Sequence, residues 1–228
     1  MEASPSYFYG KAEVAEAIRR ELGKVKIIVI LRDPTDRVIS LFSRAVSKSE
    51  FPEGFDFQEY VSTSEMKQNA GERDVYSMGI REGIYINYIE PWQSIFGSDL
   101  KVVFFDDLKD DPIGLTVSIC EWLGLDSGCF KPQDFTVENR TLHYRYRTLH
   151  RYMHKYYMKH EAFWRKHRRL KQYLRSAYNI FNSGTEKRLS TVDGAAVSRL
   201  QEIFAPHNAA LKSFLLSNNY RSLPGWLR

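Results

Sequence analysis

One short apolar run constrains the fold of this chain more than any other feature of its 228 residues. The run Val25–Leu31 is almost wholly apolar and rich in β-branched side chains, which is typical of a strand buried on both faces of a parallel sheet. Asp33 is a good N-cap and Pro34 suits the first position of a helix, so we expect a helix over Thr35–Val46. Strand, tight turn and helix form the unit from which α/β sheets are built.

The same alternation continues on both sides of this unit. A helix is expected over Ala12–Leu22, because apolar residues recur there at helical spacing and Gly23 follows. Further along the chain, the run LKVVFF beginning at Leu100 predicts a second buried strand. Asp111 and the proline after it open another helix, which Gly124 closes. The sequence therefore predicts the α/β fold class.

Three segments outside these units are less regular. Residues Ser47–Ser77 contain proline, glycine, serine and charge, and we expect them to form a loop-rich crossover in which only Phe57–Val61 looks helical. A helix is expected over Gly83–Ile95, kinked or restarted at Pro91. A last amphipathic helix is expected over Ala195–Leu216, interrupted near Pro206.

The net charge of +5 is concentrated in the second part of the chain. We predict one domain over residues 1–228, with an α/β part at 1–143 and a mainly helical, basic part at 144–228. The segment Arg145–Arg175 holds eleven Lys or Arg, four His and a single acid, which suits binding to a polyanion such as a glycan or an anionic membrane. We expect no specific nucleic acid partner, because no recognised nucleic-acid motif accompanies the charge. The aromatic residues of this segment are Tyr152, Tyr156, Tyr157, Phe163 and Trp164. We predict that they pack in the core, and the alternative is that the segment forms a binding surface for an anionic glycan or lipid headgroup.

Composition narrows the remaining possibilities. No apolar run approaches the ~18 residues that a membrane-spanning helix needs. The first ten residues lack the basic start and apolar stretch of a secretory signal, so we expect a cytoplasmic protein. Cys120 and Cys129 are either two free thiols or a disulfide. Neither the cysteines nor the six histidines have metal-ligand spacing, and we predict no metal site.

The chemistry suggested by the residues alone is anion binding at the end of the first strand. A strand that feeds a helix N-terminus presents free backbone N–H groups and the positive end of the helix dipole. Arg32 leaves the strand at this point and can grip a phosphate with its guanidinium fork. Ser40 lies about two turns into the helix, and Arg37 about one turn before it. The alternative is that Arg32 pairs with Asp36 and that Ser40 is a small packing residue.

These residues resemble a known motif. Arg32, Asp33 and Pro34, followed by Arg37 and Ser40 directly after an apolar strand, are similar to the 3′-phosphate-binding motif of sulfotransferases that use 3′-phosphoadenosine 5′-phosphosulfate (PAPS). Five other segments resemble bacterial and heparan-sulfate-type members of this family, in the same order along the chain: residues 2–8, 83–92, 100–112, 121–125 and 200–215, the last with His207 and Asn208.

The resemblance implies a fold, a cofactor and a set of site residues. The fold would be the three-layer, parallel-sheet, nucleotide-binding (P-loop-like) sulfotransferase fold with a helical C-terminal portion. Arg32 and Ser40 would hold the 3′-phosphate of PAPS, with Arg37 in support. Lys187 and Arg188 would take the place of a later Lys-Gly-Arg loop that closes on the cofactor. The implied reaction is in-line transfer of a sulfuryl group, without a metal, to a hydroxyl or amine of a glycan, a lipid-linked sugar or another acceptor.

Two departures from the family pattern bear on activity. The sequence contains no Gly-Lys-Thr or Gly-Lys-Ser loop of the kind that cradles the 5′-phosphosulfate, and Ala3 stands where relatives have a lysine. We therefore expect the first strand and the P-loop of the family fold to be absent. The sheet should then expose an apolar edge that favours self-association. The chain would be a fragment, a late-start gene product or a protein that has lost catalysis. Glu186, Lys187 and Arg188 stand where relatives have Lys-Gly-Arg, so the glycine that would let the backbone approach the phosphate closely is missing. The alternative is that Lys187 and Arg188 are two solvated charges before a helix. We assign no catalytic base, and a non-catalytic nucleotide- or polyanion-binding remnant is the alternative function.

Overall fold

The fold was analysed in a computed structural model. It describes the following residues: 2–48, 50–52, 54–128, 130, 152, 156–157, 159–167, 173–174, 178 and 192–228.

Two parallel strands form the sheet of the described chain. Strand β1 (Ile27–Leu31) pairs with β2 (Leu100–Phe104) in a register that sets Ile27 opposite Leu100 and Leu31 opposite Phe104. Both strands lie where the sequence predicted them. Because parallel strands need a long crossover, the chain between them is available to build the helical layers.

Helices supply most of the remaining structure. In chain order they are α1 (Pro5–Phe8), α2 (Lys11–Leu22), α3 (Pro34–Ser47), α4 (Phe57–Asn69), α5 (Met78–Gly83), α6 (Ile86–Phe96), α7 (Phe105–Asp110), α8 (Pro112–Leu123), α9 (Glu161–Lys166) and α10 (Gly194–Ser217), with short 3₁₀ turns at Gly97–Asp99 and Gly225–Leu227. The predictions for α2, α3 and α8 are confirmed to within one residue at each end. No helix in the described ranges is long and apolar enough to cross a membrane.

The expected loop-rich crossover is wrong, because it contains the 13-residue helix α4. A capping box begins this helix: the Asp56 carboxylate accepts from the Glu59 backbone N–H at 2.8 Å, and the Glu59 carboxylate accepts from the Asp56 N–H at 3.2 Å. Two of the backbone donors at the start of the helix are thereby satisfied. Phe57 and Tyr60 then bury their rings completely, so tertiary packing completes what the cap begins.

The expected interruption of the last helix is also wrong. Both α6 and α10 continue through their prolines, Pro91 and Pro206. A helical proline leaves the carbonyl four residues earlier without its N–H partner. Those carbonyls belong to Asn87 and Glu202, which are exposed, so water can satisfy them.

The prediction that β1 is buried on both faces is wrong. Val29 and Leu31 are buried, whereas Ile28 and Ile30 on the opposite face are 37% and 54% exposed. Helices α2, α6 and α10 cover the first face of the sheet. On the second face, α8 lies over β2, where Lys101 donates to the Ser118 hydroxyl at 3.0 Å. The described chain therefore leaves the second face of β1 open to solvent.

The two outer edges of the sheet also differ. The Tyr220 hydroxyl accepts from the backbone N–H of Val102 at 3.1 Å, which satisfies a donor on the outer edge of β2. Among the described residues, β1 has a strand partner on one edge alone. The open edge of the sheet is thus that of β1, together with the exposed Ile28 and Ile30.

Helix α10 joins two regions of the core. Near its C-terminal end, Leu211 and Leu215 pack with the inner face of the sheet and with α2 and α6. Near its start, Leu200 and Phe204 pack with α3, α4 and α5. All four side chains are at most 1% exposed. This packing holds α3, the helix that follows β1, at a defined place beside the sheet.

Candidate functional site

The candidate site lies where the carboxyl end of β1 meets the start of α3. Arg32 is the first residue after β1, and its guanidinium carbon lies 5.0 Å from the ring centroid of Phe105, the first residue after β2. Its Nη2 lies 3.3 Å from the Asp36 carboxylate. Its Nε is buried and has no hydrogen-bond partner among the described residues. A buried guanidinium N–H without a partner is costly, so this atom is suited to an anionic ligand.

Ser40 follows Asp36 by one helical turn on the same side of α3, and Asp36 is the residue that Arg32 pairs with. Its side chain is half-buried, and within the described chain its hydroxyl makes no hydrogen bond. The other two serines of α3 behave differently. Ser43 donates to the Ile39 carbonyl at 2.7 Å, and Ser47 donates to the carbonyl three residues before it at 2.7 Å. Of the three, Ser40 is therefore the one whose hydroxyl is available to a ligand.

The expected free N–H groups at the start of α3 are not available. The Asp33 carboxylate accepts from the Thr35 N–H at 2.8 Å and from the Asp36 N–H at 3.4 Å. Pro34 has no N–H, and the Arg37 N–H donates to the Asp33 carbonyl at 2.9 Å. The Asp33 carboxylate at the N-cap thus occupies the backbone N–H groups that a ligand anion would otherwise bind. A ligand phosphate would have to be held mainly by side chains.

The alternative interpretation of Arg32, a pair with Asp36, is found in the structure. In this pair the Asp36 side chain is 60% exposed and the Arg32 side chain 34%. An exposed pair at helical spacing contributes only about 0.3–0.5 kcal/mol. A hydrogen bond from arginine to a charged group contributes about 1.5–3 kcal/mol. A phosphate would therefore displace or share this partner at little cost.

Arg37 lies on a different side of α3. Its Nη1 donates to the Gly79 carbonyl at 3.2 Å, and its Nη2 lies 2.5 Å from the Glu82 carboxylate. The Tyr9 ring covers the guanidinium at 5.6 Å. Burial raises the pKa of the Glu82 carboxyl, and the neighbouring Arg37 charge opposes that shift. The structure thus places Arg37 in a buried ion pair behind the candidate phosphate site.

The segment containing Glu82 also touches the start of α3. A Cβ added to Gly83 would lie 3.3 Å from Cβ of Pro34, so glycine permits this close approach. Two residues later, Tyr85 is buried, and burial raises the pKa of its phenol. The Arg37 charge and the backbone N–H of Arg32 both lie near enough to lower that pKa in turn.

Two of the predicted site residues, Lys187 and Arg188, lie outside the described residues, as does Cys129. Cys120 is a buried free thiol. The described residues contain no group of three or more His, Cys, Asp or Glu side chains that could hold a metal ion.

The basic segment is described in part. Trp164 is 6% exposed, which agrees with the predicted core packing. The prediction is wrong for Tyr152, Tyr156 and Phe163, which are between 50% and 75% exposed. The rings of Tyr156 and Phe163 pack against neighbours on the same segment, as when Phe163 meets Trp164 edge to face at 5.1 Å. The segment therefore presents aromatic surface to solvent.

The sequence interpretation missed Phe105, Tyr9 and Glu82. Phe105 could have been found, because residues that follow parallel strands meet at one edge of a sheet. Glu82 lies 45 residues from Arg37 in the chain, and no local pattern pairs them.

Comparison with known proteins identifies the family of this chain. A family model described as a sulfotransferase domain matches residues 19–168. Mouse heparan sulfate glucosamine 3-O-sulfotransferase 3B1 is 31% identical over 126 residues, covering 55% of this chain and 31% of that protein. Human heparan sulfate glucosamine 3-O-sulfotransferase 6 is 28% identical over 126 residues, covering 55% and 35%. The chain spans about a third of the length of these relatives.

A solved structure shows the same fold. The sulfotransferase from Alicyclobacillus acidocaldarius superposes with a TM-score of 0.59 at 17% identity, covering 97% of this chain and 64% of that one. This likeness concerns the fold, and it confirms the predicted α/β sulfotransferase fold with its parallel sheet. Because the family model covers well over half of the sequence, this chain belongs to the sulfotransferase domain family.

Proposed function

We propose that this chain carries the 3′-phosphate half of the PAPS site of a sulfotransferase that acts on carbohydrate. The observation that supports the proposal is the pairing of two ligand-ready groups on one side of α3. They are the Arg32 guanidinium, whose buried Nε has no partner in the described chain, and the Ser40 hydroxyl, which makes no hydrogen bond there. Arginine and a hydroxyl are suited to phosphate because both donate to its oxygens.

The residues present fit the nucleotide, and their roles follow from their positions. Arg32 would donate to the 3′-phosphate and neutralise part of its charge, while Ser40 would donate one further hydrogen bond. The Phe105 ring beneath the guanidinium keeps Arg32 at the mouth of the sheet through a cation–π contact. Bound PAPS would supply the sulfuryl group and the bisphosphate leaving group. Lys187 and Arg188 stay predicted ligands of the same phosphate.

The proposed acceptor is an anionic carbohydrate. The relatives named above are heparan sulfate glucosamine sulfotransferases, whose acceptor is a charged glycan. In this chain, Lys159, Arg165 and Lys166 are exposed beside the exposed rings of Tyr156 and Phe163. Cations next to aromatic surface suit a glycan that carries sulfate or carboxylate groups, because charge attracts it and the apolar sugar faces pack on rings.

Binding of adenosine 3′,5′-bisphosphate tests the nucleotide site directly. Isothermal titration calorimetry would compare the unaltered chain with Arg32→Ala, Ser40→Ala and Arg20→Ala. Arg20 is an exposed arginine of α2 that pairs with its neighbour Glu21, so its variant controls for the loss of one surface charge. We expect Arg32→Ala to weaken binding at least tenfold, Ser40→Ala about fivefold at roughly 1 kcal/mol per hydrogen bond, and Arg20→Ala less than twofold. Equal binding by the unaltered chain and Arg32→Ala would refute the site.

The second candidate function, a polyanion-binding remnant, rests on the same exposed cations. It predicts binding to a heparin column that the triple variant Lys159→Ala, Arg165→Ala, Lys166→Ala loses and that weakens steeply with salt. If heparin binding is present and adenosine 3′,5′-bisphosphate binding is absent, this second function is the one supported. Binding of both ligands supports the proposed sulfotransferase.

A further inference from the structure

We propose that Arg37 is a positioning residue, and that its buried ion pair with Glu82 holds Arg32 and Ser40 in the orientation that binds phosphate. This inference rests on the proposed function and changes the part that Arg37 plays in it. The sequence motif suggested a residue supporting the phosphate. The contacts of Arg37 point to a role behind the site, without contact with the ligand.

The first argument is that both terminal nitrogens of Arg37 already have partners. Nη1 donates to the Gly79 carbonyl and Nη2 lies against the Glu82 carboxylate, so both ends of the guanidinium fork are bound to α5. Tyr9 covers one face of the guanidinium. A phosphate in contact with Arg37 would also lie near the Glu82 carboxylate, whose side chain is 11% exposed, and this second negative charge disfavours the contact.

The second argument is the contrast between the two arginines of the motif. The partner of Arg32 is the Asp36 carboxylate, whose side chain is 60% exposed, and the Arg32 Nε has no partner in the described chain. The partner of Arg37 is the Glu82 carboxylate, whose side chain is 11% exposed. When a ligand binds Arg32, water can solvate the exposed Asp36 carboxylate that loses its partner. Water cannot readily solvate the buried Glu82 carboxylate if Arg37 leaves it. Arg32 is thus available to bind a ligand, whereas Arg37 stabilises the structure around the site.

The third argument is that one segment supports the phosphate motif at two points. Residues 79–83 bind the Arg37 side chain through Gly79 and Glu82. At Gly83 they approach Pro34, the first residue of α3. Since one contact lies at the N-terminus of α3 and the other about one turn further along, together they constrain both the position of that terminus and the rotation of the helix.

The test is the substitution Glu82→Gln, which keeps the size of the side chain and removes its charge. If Arg37 positions the site, this variant should bind adenosine 3′,5′-bisphosphate 3- to 10-fold more weakly while circular dichroism shows it folded. If Arg37 contacts the phosphate directly, removing the competing carboxylate should leave binding unchanged or make it tighter. The direction of the change in Kd therefore separates the two roles.

Glu65→Gln is the matched control. Glu65 pairs with Arg199 at 2.5 Å and joins α4 to α10, so the same chemical change removes an ion pair between helices that is more exposed than the pair of Arg37 with Glu82. We expect it to lower the melting temperature and to leave the Kd unchanged at a temperature where the protein is folded. A Glu82→Gln variant that matches this control in both measurements would show a merely structural role and overturn the inference.

A milder variant and the unaltered chain complete the test. Glu82→Asp keeps the charge and withdraws the carboxylate by one methylene, so it should weaken binding in the same direction by two- to fourfold even if Glu82→Gln does not fold. Unchanged or tighter binding by Glu82→Asp overturns the positioning role. Failure of the unaltered chain to bind adenosine 3′,5′-bisphosphate would refute the proposed function itself. Binding that Arg32→Ala abolishes and both Glu82 variants leave intact would refute the positioning role alone.

Discussion

Replacing Asp36 by asparagine should tighten nucleotide binding, because this carboxylate competes with the ligand for Arg32. Its oxygen lies 3.3 Å from Arg32 Nη2, and the exposed i,i+4 pair is worth about 0.3–0.5 kcal/mol. Asp36 would also repel a phosphate bound to Arg32. At a separation of about 6 Å in water, two like unit charges repel by roughly 0.7 kcal/mol. The two effects together amount to about 1 kcal/mol, or a roughly fivefold lower Kd.

Calorimetry with adenosine 3′,5′-bisphosphate at two salt concentrations would measure this effect. The gain should shrink as salt rises, because the charges are exposed and screened. The free energy of unfolding should be lower for Asp36→Asn than for the unaltered chain. An acid in the first turn of α3 interacts favourably with the helix dipole by about 0.3–1 kcal/mol, and the substitution removes this interaction. Glu16→Gln is the control, because Glu16 is an exposed acid of α2 that makes no ion pair with the described residues. A Kd for Asp36→Asn that is unchanged or higher would refute the assignment of Arg32 as the phosphate ligand.

Two predictions concern the core beside the site. Gly83→Ala should lower the free energy of unfolding by about 1–3 kcal/mol in urea denaturation, because the new Cβ would lie 2.7 Å from the Phe204 ring. A loss below 0.5 kcal/mol would contradict the close packing seen there. Burial lowers the pKa of His207, so between about pH 6.5 and its folded pKa the unfolded chain binds more protons and stability falls as the pH falls. Urea denaturation at pH 7.5 and 5.5 should show a smaller loss for His207→Gln than for the unaltered chain, and an equal loss would exclude this contribution.

Local signals in the sequence account for the parts of the fold that were predicted correctly. The apolar run after Gly23 forms β1, and Asp33 with Pro34 begins α3 as N-cap and first helical residue. Gly124 adopts a left-handed conformation and ends α8 as expected. These features depend on a few neighbouring residues, so the chain specifies them without reference to its tertiary contacts.

Helix α4 shows where a local signal was present and was not used. Asp56 and Glu59 have the spacing of a capping box, and both of its hydrogen bonds form. The surrounding proline, glycine and serine suggested a loop instead. The error therefore came from weighing composition above spacing.

Half of the candidate site could be predicted from the sequence and half could not. Arg32 and Ser40 are separated by eight residues on a strand end and the helix after it, so local geometry places them on one side of α3. Local geometry alone could not show whether the backbone N–H groups at the start of α3 are free to bind a ligand. In the structure the Asp33 carboxylate accepts from two of them. The assignment of Arg37 depended on Glu82, which is distant in the chain.

The sequence by itself determined both strands, helices α2, α3 and α8, the family resemblance and the two side chains proposed to bind phosphate, because each depends on residue type and short-range spacing. Tertiary structure alone decided that Ile28 and Ile30 are exposed, since coverage of a strand depends on which helices pack against it. It also decided that Arg32 has a donor free of partners in the described chain while Arg37 is held in a buried pair. Two arginines five residues apart thus have different chemistry, because an arginine's availability to a ligand is set by neighbours that folding brings from elsewhere in the chain.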